Sequence, residues 1–142
     1  MQTEGKHLPA TTPEQLHVLF DDAVNAHDLD GLLDLYEPDP LGADLEGKVL
    51  RGTAAMRHFL ADLVAVAQNI DTTTRKVIAT DDIALLSGAW LAHIRTPDGE
   101  DLTAEGSSAE VARRQPDGTW RFVIDDPLFT SETMSTQPRT PA

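Results

Sequence analysis

The chain has no cysteine. That removes disulfides, thiolate nucleophiles and cysteine-ligated metals together, and it fits a reducing compartment. Bases are scarce: 11 Lys and Arg stand against 24 Asp and Glu, a formal charge of −13. Such a surface repels phosphate backbones and anionic lipids, so no nucleic acid and no membrane is expected as a partner, and its plain role is solubility. No apolar run approaches the roughly 18–20 residues needed to cross a bilayer. The opening MQTEGKHLPATTPEQ has neither the basic nor the apolar region of a signal peptide, so the expected location is cytoplasmic. The signatures G-x-G-x-x-G, G-x-x-x-x-G-K-[ST] and G-x-S-x-G are missing, which leaves nucleotide binding and serine hydrolysis without support. His7, His17, His27, His58 and His93 include no pair spaced i, i+4 and no H-E-x-x-H. AHDLDGLLDLYE imitates a calcium loop but has Ala26 where the first carboxylate is needed. No metal and no cofactor are expected.

What is present fits one domain of 142 residues, 40% hydrophobic and 25% charged, enough to bury a core. Residues 1–11 and 130–142, rich in Thr, Ser, Pro and Gln, read as loose tails around a domain at 12–129. Thr12-Pro13-Glu14-Gln15 offers an N-cap, a first-turn proline and a capping-box glutamine. Leu16, Leu19, Phe20, Ala23, Val24 and His27 follow as one helical stripe. Asp28 caps a short second helix carrying Leu29, Leu32, Leu33 and Tyr36, stopped by Pro38 and Pro40. DPLGADLEGKVLRG, interrupted by glycine, reads as a short hairpin or a bulged strand. Thr53 then opens a third helix with Met56, Phe59, Leu60, Leu63, Val64 and Ala67 on one side.

Beyond it the period changes to alternation, with strands expected at 74–80, 83–95, 102–114 and 119–126. The last three are joined by TPDG and QPDG turns. The fold class is α+β: a curved, cone-shaped, mainly antiparallel sheet packed against three N-terminal helices. Strands this long curl, and a curled sheet closed by helices encloses a cavity.

The acids that face such a cavity are the candidate site. The final strand ends in Asp125-Asp126 before Pro127. Strict alternation puts Trp120, Phe122, Ile124 and Asp126 on one face and Arg121, Val123 and Asp125 on the other, so one acid shares the apolar side. A carboxyl there is desolvated enough to serve as general acid or base, or else it caps the turn. Glu110 shares a face with Leu102, Ala104, Gly106, Ser108 and Ala112, and a carboxylate among small residues needs a partner. Arg95, Arg113, Arg114 and Arg121 are the cross-strand candidates. Asp44 and Glu46, two apart in ADLEG, share a face if that segment is extended.

NAHDLDGLLDLYEPD (25–39), RGTAAMRHFL (51–60) and DGTWRFVIDDPLF (117–129) together resemble the SnoaL-like (polyketide cyclase-like, ketosteroid isomerase-like) branch of the nuclear transport factor 2-like superfamily. The resemblance covers about residues 12–129 and implies the cone fold, a homodimer and a small-molecule pocket. Carried across from ketosteroid isomerase, it implies that Asp44 stands at the general base and Glu110 near the protonated oxyanion acid. Phe20 stands where the oxyanion tyrosine would be and has no hydroxyl, which disfavours authentic steroid isomerisation.

Two functions follow. In the first, Asp44, Glu110, Asp125 and Asp126 supply candidate catalytic carboxyls for isomerase, cyclase or epoxide-hydrolase chemistry on a compact apolar or hydroxylated metabolite. Phe20, Tyr36, Phe59, Trp90, His93 and Trp120 would line the pocket. In the second, Trp90, Trp120, Phe122 and Met56 fill the cone and the protein is a non-catalytic binding or dimerisation module.

Overall fold

The computed structural model describes residues 8–130 and 135–139. Helix α1 (Gln15–Asn25) has Glu14 rather than Thr12 at its N-cap, with no side-chain cap bond. The Gln15 side chain reaches one residue further back than the expected box, accepting from the backbone N–H of Thr11 at 2.7 Å. The helix ends before His27, which adopts φ 54° and leaves the stripe, its Nδ1 lying 3.0 Å from the carbonyl of Val64. Asp28 caps α2 (Leu29–Leu33) by accepting from Gly31 N–H at 3.0 Å, as its position suggested. Tyr36 is not on that helix. It opens strand β1 (Tyr36–Ala43), which runs through both prolines and pairs with β2 (Val49–Arg51) as the expected hairpin. Thr53 does not cap α3 (Gly52–Val66); its hydroxyl accepts from Asp39 N–H instead, at 3.3 Å.

Strands β3 (Ala67–Ala79), β4 (Ile83–Arg95), β5 (Asp101–Arg114) and β6 (Trp120–Asp126) follow in an antiparallel meander. The sheet order is β2-β1-β6-β5-β4-β3, with β1 parallel to β6 and the other pairings antiparallel. Strand β3 starts seven residues earlier than its apolar pattern indicates, because QNIDTTT is held by polar partners rather than by burial. Asn25 on α1 donates to the carbonyl of Ile70 (3.0 Å) and accepts from its N–H (2.8 Å). Asp21 accepts from the N–H and the hydroxyl of Thr72, both at 2.7 Å. Two helix side chains thus satisfy an edge strand as a neighbouring strand would.

The core lies between the helices and the concave face of the sheet, built on Leu16, Val24, Leu32, Met56, Leu60 and Phe122. Two segments expected as tails are tied to the sheet. Ala10 is buried and its carbonyl accepts from Trp120 N–H at 2.9 Å. Ser135–Pro138 forms β7 against Leu102–Glu105 of β5, along the edge that β6 leaves open. On the outer face Ile78, Leu85, Val111 and Ile124 form one row of cross-strand pairs.

Replacing Asn25 with alanine strands both backbone groups of Ile70. Chemical denaturation should show a loss of about 1–3 kcal/mol with an unchanged m-value. A loss below about 0.5 kcal/mol would mean that water replaces the side chain without penalty.

Candidate functional site

A β-bulge decides what the last strand presents. Val111 pairs with Ile124, but Ala112 pairs with Phe122, so Val123 is an extra residue on β6. The phase of the strand flips there. Trp120, Phe122 and Asp125 face the concave side, while Ile124 turns outward and is 40% exposed. Strict alternation had placed Ile124 inside and Asp125 outside, and the bulge overturns both. Asp126 holds the turn, accepting from Leu128 N–H at 3.0 Å beyond Pro127. The two acids therefore divide the work between structure and cavity.

Asp125 stands directly across from Glu110, so the two side chains are neighbours on the concave face. Glu110 is buried (5% exposed), and its partner is none of the four arginines. Arg95 pairs with Asp101 and Arg113 with Glu37, both at 2.9 Å, and Arg114 lies 4.0 Å from Asp82. Instead His17 of α1, itself 4% exposed, places Nε2 2.7 Å from Glu110 Oε1. Its Nδ1 is 2.7 Å from Thr74 Oγ1. A threonine hydroxyl can accept from an imidazolium or donate to the neutral ring, so both charge states are satisfied. Burial pushes the His17 pKa down, but the hydrogen bond and charge of Glu110, aided by Asp125 and Asp21, outweigh it and the net shift is upward. Gly88 makes room for the ring: a Cβ there would lie 3.1 Å from His17 Cε1.

The Asp125 carboxyl is pushed up to about 7, chiefly by burial and then by the charge of Glu110. Tyr36 donates its hydroxyl to Asp125 Oδ2 at 2.5 Å. Burial and then the charge of Asp125 raise the tyrosine well above its ordinary value, so it stays a donor. His17 is bound to Oε1 and Tyr36 to Oδ2, and among the described residues no side chain bonds Glu110 Oε2 or Asp125 Oδ1.

These groups lie at one side of a mostly apolar cavity of about 700 Å³ between α1, α3 and the concave sheet. That volume is in the range of small-molecule sites, and the cone is not filled by its own side chains. Phe20, Phe59 and Trp90 line it as expected. Trp90 is fixed to the wall, donating its indole N–H to the carbonyl of Pro127 at 2.8 Å. Three expected lining residues do not line it. Trp120 is in the core beside Ala10, Tyr36 sits behind Asp125, and His93 points to the outer face because it alternates with the inward Ala92. Asp44 and Glu46 border the cavity, but Asp44 lies in the hairpin turn rather than a strand. Its Oδ1 accepts from Glu46 and Lys48 N–H, both at 2.9 Å.

His17 is the site residue that sequence reasoning missed. Its signal was present: it lies three residues before Phe20, beside the apolar stripe, on the helix that faces the unexplained Glu110.

The sequence profile of the SnoaL-like domain matches residues 18–131. The chain belongs to the SnoaL-like family. No curated protein matches its sequence. Among solved structures, it superposes on a candidate scytalone dehydratase from Novosphingobium aromaticivorans with a TM-score of 0.70 at 15% identity, over 91% of this chain and 86% of that one. A ketosteroid isomerase-like protein from Erwinia carotovora atroseptica gives 0.67 at 16% identity, over 90% and 94%. A candidate dehydratase of the nuclear transport factor 2-like family from Streptomyces avermitilis gives 0.61 at 18%, also over 90% and 94%. At these identities the likeness establishes the cone fold, and chemistry has to be argued from the site.

The raised carboxyl has a thermodynamic consequence. Asp125 is above its ordinary 3.8 in the folded state, so its contribution to stability is complete below about 4 and is lost as pH rises through about 7. His17, raised from 6.5, contributes in the same direction, fully below 6.5 and less as pH climbs through its folded value. Asp125→Asn should therefore be more stable than the parent above pH 7, with the difference shrinking toward pH 4 in denaturant titrations. A pH-independent difference would contradict the buried, raised carboxyl.

Proposed function

We propose that the protein is an acid/base enzyme of dehydratase type, acting on a compact, largely apolar substrate that carries a hydroxyl group β to a carbonyl. The observation that carries this reading is the cross-strand pair at the cavity wall. Glu110 is ion-paired with His17, and Asp125 keeps its proton up to about pH 7. Two carboxyls whose environments differ in this way assign themselves the roles of base and acid. In the proposed step Glu110 Oε2 removes the proton from the carbon next to the carbonyl. The carbon–oxygen bond to the neighbouring hydroxyl breaks, and that oxygen leaves as water with the proton of Asp125. Acid and base lie side by side on one wall, which suits removal of both groups from the same face of the substrate. His17 holds Glu110 in place and in charge, and Tyr36 orients Asp125.

Similarity in fold to the candidate dehydratases is in keeping with this reading. Phe20 at the wall, offering no hydroxyl, weighs against steroid isomerisation. Asp44, whose carboxylate is spent on its own turn, is not given a proton-transfer role. For the outer sheet face, the row Ile78, Leu85, Val111 and Ile124 supports a homodimer; native mass spectrometry finding monomer alone would remove that part.

The test is a screen of β-hydroxy ketones of varied ring size, followed by the rise of enone absorbance. Glu110→Gln and Asp125→Asn should each lower kcat/KM by at least about 100-fold, the scale of a lost general acid or base, with circular dichroism unchanged. The parent's rate should fall above pH 7 as Asp125 loses its proton. Full turnover in either variant would remove that residue from the mechanism.

A further inference from the structure

The charge around the cavity is one-sided. Four carboxylates border it, Asp44, Glu46, Asp62 and Glu110, together with the protonated carboxyl of Asp125. Among the described residues no lysine or arginine does, and Lys48, in the same turn as Asp44 and Glu46, is not part of the wall. His17 is committed to Glu110, and His58, at the rim, lies 3.7 Å from Asp62. Three arginines of β4 and β5, Arg95, Arg113 and Arg114, are paired elsewhere, with Asp101, Glu37 and Asp82. A chain already at −13 adds its own field, and apolar walls concentrate that field inside a cleft.

The apolar part of the wall is suited to the same sign of charge. Phe20, Phe59, Trp90 and Phe122 all contribute to it. Trp90 lies across Gly106, where an added Cβ would come within 2.8 Å of the indole, and its N–H is tied to Pro127. The indole is thus held in a fixed orientation at the cavity wall. Aromatic faces attract cations, tryptophan most strongly, and more so away from water.

We infer that the ligand of this cavity carries a cationic nitrogen, a substituted ammonium group on an apolar body, and that the site rejects carboxylates and phosphates. The ammonium group is held by the aromatic wall and by the rim acids Glu46 and Asp62, while the rest of the molecule fills the apolar volume. The inference rests on the reading of the cavity as a substrate site and narrows it to one charge class.

Isothermal titration calorimetry of the full chain with three matched probes tests it: naphthylmethyl-trimethylammonium, naphthylethanol and naphthylacetate. The cation is expected to bind at least about tenfold more tightly than the alcohol at low ionic strength, with the preference narrowing as salt is added. The carboxylate is expected to show no binding. The double variant Glu46→Gln, Asp62→Asn, at two exposed positions, should lose most of the preference and keep the affinity for the alcohol. Trp90→Leu should weaken the cation more than the alcohol. Equal or tighter binding of the alcohol, binding of the carboxylate, or binding of none of the three overturns the inference. Turnover of neutral hydroxy ketones without any charge preference would overturn it while leaving the dehydratase reading in place. Cation binding without turnover of any hydroxy ketone would do the reverse.

Discussion

A carboxyl side chain on the buried face of a sheet cannot be left alone, and in this protein much of the arrangement around the cavity answers to one such group. Glu110 lies on the concave side with Ala104, Ser108 and Ala112, where water is scarce. An isolated charge there would cost several kcal/mol. Its answer comes from α1, which brings His17 within 2.7 Å. That contact fixes how the first helix lies over the sheet, with Asn25 and Asp21 fastening the same helix to the edge of β3 further along. Buried pairs of this kind are seldom the cheapest way to stabilise a core. The sheet retains one at the wall of a cavity, where the proposed chemistry would use it.

The bulge at Val123 supplies the second carboxyl. Without the extra residue β6 would carry Ile124 into the cone and turn Asp125 to the outer face. With it, Asp125 is set across from Glu110, and the proximity of that charge together with burial raises its affinity for a proton. Gly42 belongs to the same arrangement, since a Cβ there would come within 2.8 Å of the Asp125 carbonyl oxygen. Register, a glycine and a tyrosine hydroxyl together place one carboxyl.

Much of the fold was legible from pattern. Strand β4 was bounded to the residue, and β5 and β6 to within one, because their alternation and their P-D-G turns are local signals. The upstream half of β3 was not, because its polar threonines are held by helix side chains about fifty positions away, which no local period records. For the site, Glu110 and the Asp125-Asp126 pair were visible as acids in apolar strands, and the resemblance to the SnoaL-like branch implied a pocket where the cone encloses a cavity of about 700 Å³. Which acid faces inward was hidden, since a bulge without a glycine leaves no mark on the alternation. His17 was hidden for a different reason: one histidine beside an apolar stripe has an ordinary reading until the sheet it faces is known. Counting along the chain cannot tell a strand from the turn that follows it, and Asp44 lies in that turn.

The account stands on the raised Asp125 carboxyl set across the strand from Glu110, which is ion-paired with His17. Carbon-detected nuclear magnetic resonance of the Asp125 carboxyl across a pH titration tests this directly, in the parent chain and in Glu110→Gln. The account predicts a midpoint near 7 in the parent and a lower one once the charge at position 110 is removed. A midpoint near the ordinary aspartate value of about 4 in both proteins would contradict it.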